Sequence, residues 1–296
     1  MNRSYCSCRL MASQTASLLC SFPARIHEST GRVMKDVREE WIRDIVVLRE
    51  DRIVVSDFGN GLKLFDSQGL PLSKIRRPIR VCAVTSLSPT LIASTINFDS
   101  DPQTVLVTVD LDTGEMKVLK TVSTTINYRG IVGIDEHTWA ASTAWWNGGG
   151  GIYILNDDGE VERSYNCPEK SKVMMQCSLH MTVSPNGDFI ASDGNAGKVV
   201  GVDPKADDNP VKFVYDGEKG HTLEVPLGVA CDAQCRIYVA DQRLNHVVVL
   251  SSDGKYIQTI VDSKQLQKPS GICVFKDKLY VVEKVGSVKV FQLADQ

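Results

Sequence analysis

One short pattern recurs along the chain and limits what it can fold into: an apolar run that stops at an acidic or hydroxyl residue. It reads RIVVSD (52–57), TLIAST (90–95), TWAAST (138–143), FIASD (189–193), RIYVAD (236–241) and KLYVVE (278–283). The runs end at Asp57, Thr95, Thr143, Asp193, Asp241 and Glu283, spaced on average about 45 residues apart, the period of one four-stranded propeller blade. Upstream of each lies another short apolar run: RDIVVL, RVCAVTSL, GIVGI, HMTVS, LGVAC and SGICVF. Several are followed by a polar tip, a further apolar run and a turn, as in GLKLFDSQG, GIYILNDDG and HVVVLSSDGK.

These runs are short, rich in Val and Ile, and bounded by Gly, Asn, Asp and Pro, which makes them strands and not helices. Asn186-Gly187 and Asp253-Gly254 supply the positive φ that tight hairpins need. The unit is a meander of strands a, b, c and d, repeated six times. One such sheet cannot bury both faces, and radial stacking solves that problem. The expectation is an all-β, six-bladed β-propeller over residues 31–296, after a disordered leader at 1–30. The last repeat ends after its third strand, SVKVFQL, so an N-terminal strand is expected to complete that blade. The segment GRVMKDV (31–37) is the candidate, and the join would remove two open sheet edges.

The segment PLGVACDAQCRIYVADQRLNHVVVLSSDGKYIQTI resembles an NHL repeat in its Pro-x-Gly entry, its Tyr-Val-Ala-Asp strand end and its Asn-His tip. Blades five, one and six carry the resemblance well, whereas blades two, three and four lack the Asn-His pair. The pattern is similar to the C-terminal propeller of tripartite-motif proteins with NHL repeats. That resemblance implies a recognition module for a partner protein or a structured RNA. The RING and B-box modules of that family have no counterpart in this sequence, which contains no C-x-x-C of the kind such zinc modules require, so ligase activity is not implied.

In each blade the start of strand a and the b–c loop should share one end of the propeller. The residues at the start of strand a are Arg43, Arg80, Arg129, His180, Leu227 and Ser270, which predicts a basic arc around half of the central opening. The b–c loops add Arg243 and the AWWNGGGG stretch with Trp145 and Trp146. Guanidinium groups beside indoles suit acidic or phosphorylated protein segments, or RNA. The plainer alternative has each Arg paired with a nearby strand-b acid and the indoles packed between blades. Asp57, Asp193 and Asp241 are expected to cap turns, with Asn245-His246 in a b–c turn.

The net charge is −3, from 33 basic and 36 acidic residues, so a polyanion would have to be held by a local cluster. Protein partnership therefore ranks before RNA. Six-bladed propellers also host lactonases, strictosidine-synthase-like enzymes and amidating lyases, built on several inward carboxylates and histidines around a metal. Here His180 is the one histidine, and Asp44 the one carboxylate, expected on an inner strand. Cys231 and Cys235 flank an a–b turn and make an incomplete zinc site. The reading is a non-catalytic recognition propeller with no cofactor, no metal and no small-molecule substrate. The nine cysteines suit reduced thiols in the cytoplasm, and no apolar run reaches the roughly 20 residues that span a membrane.

Overall fold

The computed structural model describes residues 16–26, 41–76, 80–96, 101–143, 150–166, 178–206, 210–218 and 220–294. The runs predicted from the repeat form six antiparallel four-stranded sheets. Blade 1 holds β2 (Ile42–Leu48), β3 (Arg52–Asp57), β4 (Gly61–Phe65) and β5 (Pro71–Ile75). Blade 2 holds β6 (Val81–Ser88), β7 (Leu91–Ile96), β8 (Gln103–Asp110) and β9 (Glu115–Ser123). Blade 3 holds β10 (Gly130–Gly133), β11 (Thr138–Ser142), β12 (Gly151–Asn156) and β13 (Val161–Asn166). Blade 4 holds β14 (Ser178–Val183), β15 (Phe189–Asp193), β16 (Lys198–Val202) and β17 (Val211–Tyr215). Blade 5 holds β18 (Pro226–Cys231), β19 (Ile237–Asp241), β20 (His246–Leu250) and β21 (Tyr256–Val261). Blade 6 holds β22 (Pro269–Phe275), β23 (Lys278–Glu283) and β24 (Ser287–Leu293), completed by β1 (Ala16–Pro23). The inner strands β2, β6, β10, β14, β18 and β22 each lie beside the next, and β22 returns to β2, closing the ring.

The apolar core is not a central plug. It forms six walls, each joining side chains from two neighbouring blades. Middle strands such as β3, β15 and β19 are therefore covered on both faces, which explains why they read as continuous apolar runs without polar alternation. Hydroxyls at the inner ends tie blade to blade. Ser56 Oγ donates to the Cys82 carbonyl at 2.7 Å, and Ser270 Oγ donates to the Ile42 carbonyl at 3.0 Å. Gly254 shows why its hairpin needs glycine: its φ is +80°, and a Cβ there would lie 2.2 Å from the Phe213 ring. Among the described residues no helix is long and apolar enough to cross a membrane.

Closure by an N-terminal strand is as expected, but a different segment does it. Ala16–Pro23 pairs with Ser287–Leu293 along the outer edge of blade 6, so residues 16–26 are part of the propeller and not a disordered leader. The segment 31–37 lies outside the described residues. The physical reason is in ASLLCSFP and the residues after it. Phe22, Ala24 and Ile26 are buried in the wall between blades 6 and 1, and the Ala24 N–H donates to the Gly286 carbonyl at 2.8 Å.

Candidate functional site

The residues that end strand b organise one end of the propeller. Asp241 is fully buried. Its Oδ2 accepts from the Glu224 and Val225 N–H groups at 2.6 and 3.1 Å, and its Oδ1 from the Arg243 and Leu244 N–H groups, each at 2.9 Å. One carboxylate thus fastens the entry of β18 to the β19–β20 turn, so the two loops share one end, as predicted. Asp193 caps its turn through the Asn195 and Ala196 N–H groups. Asp57 accepts from the Gly59 N–H and forms a fully buried ion pair with Lys63 at 2.7 Å. These acids act as turn caps. The Asn-His tip is structural as well. Asn245 Oδ1 accepts from the Lys268 N–H at 2.6 Å, joining blade 5 to the entry of blade 6, and burial holds His246 below the usual histidine pKa.

The central channel carries one polar bridge. His180 on β14 and Asp44 on β2 belong to the fourth and first blades, which face each other across a six-membered ring. Their side chains meet with Nδ1 of His180 3.3 Å from Oδ1 of Asp44. Asp44 also accepts from the Ile45 N–H at 2.9 Å and the Val84 N–H at 3.0 Å. The carboxylate is therefore held in place, and the imidazole with it. Below the bridge lies a cavity of about 220 Å³ bounded by all six inner strands, with Thr85, Cys231 and Cys273 on its wall. Burial pushes the Cys231 thiol up and raises Cys273 to about 12, so both stay protonated thiols.

Above the bridge is a mouth of about 130 Å³, bounded by Trp41, Arg43, His180, Gln242, Ser270, Lys284 and apolar neighbours. Arg43 lies over the Trp41 ring at 4.3 Å and the Phe58 ring at 5.2 Å, and Lys284 lies over the same Trp41 ring at 5.1 Å. Burial holds the Lys284 pKa below the usual lysine value, and the nearby Arg43 and Lys268 cations lower it further. Like charges gathered in one concavity raise the energy of the empty site, and an anion lowers it.

Of the predicted site residues, the structure brings Arg43 and His180 together at the mouth. Arg243 sits in the adjoining groove, where its Nε lies 2.9 Å from Oε2 of Glu224. Arg80 is exposed and Arg129 half-buried at the entries of blades 2 and 3, and neither is among the residues that bound the mouth. Trp145 and Trp146 lie outside the described residues. Sequence reasoning missed Trp41, Lys268 and Lys284. A signal was present: Trp41, Val225 and Lys268 each stand directly before an inner strand, and Lys284 and Gln242 directly after strand b. Among the described residues, no group of three His, Cys, Asp or Glu side chains is arranged to hold a metal.

No protein-family model matches the sequence, and no curated protein matches it. Solved structures do match in fold. A protein of unknown function from Bacteroides thetaiotaomicron superposes with a TM-score of 0.69 at 11% identity, over 95% of this chain and 76% of that one. A PQQ-bound aldose sugar dehydrogenase from Streptomyces coelicolor gives 0.65 at 13% identity, over 96% and 99%. Virginiamycin B lyase from Staphylococcus aureus gives 0.62 at 10% identity, over 95% and 100%. At such identities the likeness is one of architecture, and the functions of these propellers diverge: the chain has the fold of a six-bladed β-propeller.

Proposed function

We propose that the protein is an NHL-like recognition propeller whose mouth face binds an acidic or phosphorylated segment of a partner protein. The observation that carries this reading is Lys284. It is drawn partly out of water beside two further cations, Arg43 and Lys268, and it forms no ion pair with any described carboxylate. Arg43 and Lys284 both lie over Trp41. The ring is therefore engaged by cations where single-stranded RNA would need an open stacking surface, which favours an acidic protein segment over RNA. The lactonase-like alternative would draw on several converging donors. The His180–Asp44 pair is joined by no third carboxylate, imidazole or thiolate of that kind among the described residues.

The test is direct binding of acidic and phosphoserine-containing peptides, and of single-stranded RNA at matched salt, to wild type and Lys284→Gln. Peptides should bind, and the variant should lose at least about tenfold, the scale of one charge-assisted hydrogen bond. RNA binding tighter than any peptide, unaffected by Lys284→Gln, would refute the reading.

A further inference from the structure

The mouth does not end at Lys284. A groove of about 310 Å³ adjoins it, bounded by Val225, Gln242, Arg243, Asn245, Lys268 and Lys284. Val225, Gln242 and Lys284 border both spaces. One trough therefore runs from the axis outward along the seam between blades 5 and 6.

Its floor is preorganised. Asn245 and Lys268 both adopt left-handed backbone, with φ of 56° and 51°, and the Asn245 side chain locks the Lys268 N–H at 2.6 Å. The Lys284 N–H donates to the Lys268 carbonyl and the Gln242 N–H to the Val225 carbonyl, each at 2.9 Å. A ligand entering the trough need not order these loops, which removes a usual cost of binding.

The cations are arranged in sequence. Arg43 is at the inner end, Lys284 is common to both spaces, and Lys268 and Arg243 are at the outer end. Lys268 pairs with no described carboxylate. Arg243 holds Glu224 only through an exposed pair, which an incoming anion can exchange at little cost. The mouth has room for one anionic group, and the groove beyond has room for a second. In an extended peptide, side chains two residues apart point the same way and stand roughly 7 Å apart, a step suited to two subsites that share one lysine.

Resting on the recognition reading above, we propose that the trough reads two acidic groups at positions i and i+2 of one extended peptide. One is held by Arg43 and Lys284, the other by Lys268 with Arg243.

The test uses the full chain and three labelled peptides, followed by fluorescence anisotropy. One carries a single phosphoserine, one a phosphoserine with Asp two residues away, and one the same pair in adjacent positions. The i,i+2 peptide should bind wild type about tenfold more tightly than the single-charge peptide. Lys268→Gln should abolish that gain, leaving the i,i+2 peptide bound no more tightly than the single-charge peptide, and Lys284→Gln should weaken all three. An equal gain for the adjacent pair, or a gain that survives Lys268→Gln, would overturn the second subsite and leave the recognition reading standing. No binding by any of the three peptides would overturn the recognition reading, and this inference with it.

Discussion

Replacing Phe22 by alanine tests whether the N-terminal strand closes the ring as an energetic element. Phe22 is only 7% exposed, and its ring centroid lies 5.6 Å from that of Phe65 on the neighbouring blade. The space it fills has been kept open for it: a Cβ on Gly69 would lie 2.2 Å from its ring. Truncating a buried phenylalanine of this kind costs about 3–5 kcal/mol, from lost transfer energy and the cavity left behind. That is a large share of the roughly 5–15 kcal/mol that holds an ordinary domain together. Leu19, on the same strand but 51% exposed, is the internal control, and its truncation should cost under about 0.5 kcal/mol. Urea unfolding gives both values. Amide exchange adds the location, because Phe22 pairs with Val288 and protection should fall first along β24. A Phe22→Ala protein no less stable than Leu19→Ala, with β24 protected as in wild type, would refute the closure argument.

Asp57→Asn should cost about 3–5 kcal/mol, because it leaves the buried Lys63 ammonium without its carboxylate; adding Lys63→Met should recover part of this in thermal melts. Lys284→Gln should raise Tm slightly at pH 7 while weakening anion binding. The folded pKa of Lys284 lies below its unfolded value, so the destabilisation is complete below the folded pKa. It fades as pH rises through that value and is gone above the ordinary lysine pKa, and melts of both proteins across this range should converge. Alkylation at pH 8 should leave Cys231 and Cys273 unmodified in the native protein and label both after unfolding, because their raised pKa values keep the thiolate scarce.

Much of the fold was legible because the strand-b residue recurs in one role. Asp57, Asp193 and Asp241 each gather local N–H groups at the same corner of a blade, and Thr95, Thr143 and Glu283 end the matching runs, so a polar strand end marks the period. The closing strand was not legible. Phe22 is the only fully buried side chain within Ala16–Pro23, which leaves no alternation to read, and its partner strand lies at the other end of the chain. The site divided in the same way. Arg43 and His180 were found by aligning strand starts, although the register sets them one residue apart: His180 lies opposite Ser192 as Asp44 lies opposite Ser56. Trp41, Lys268 and Lys284 stand one residue outside the strands, in loops whose sequence varies from blade to blade while their position does not.

The pairing of Ala16–Pro23 with Ser287–Leu293 also sets a timetable. About 260 residues are synthesised between the two strands, which at roughly 5–20 residues per second takes tens of seconds. Throughout that interval β1 has left the ribosome without its partner. Five blades can be complete in the nascent chain, but the circle cannot be, so β1, the first of the described strands to emerge, is among the last to find its place.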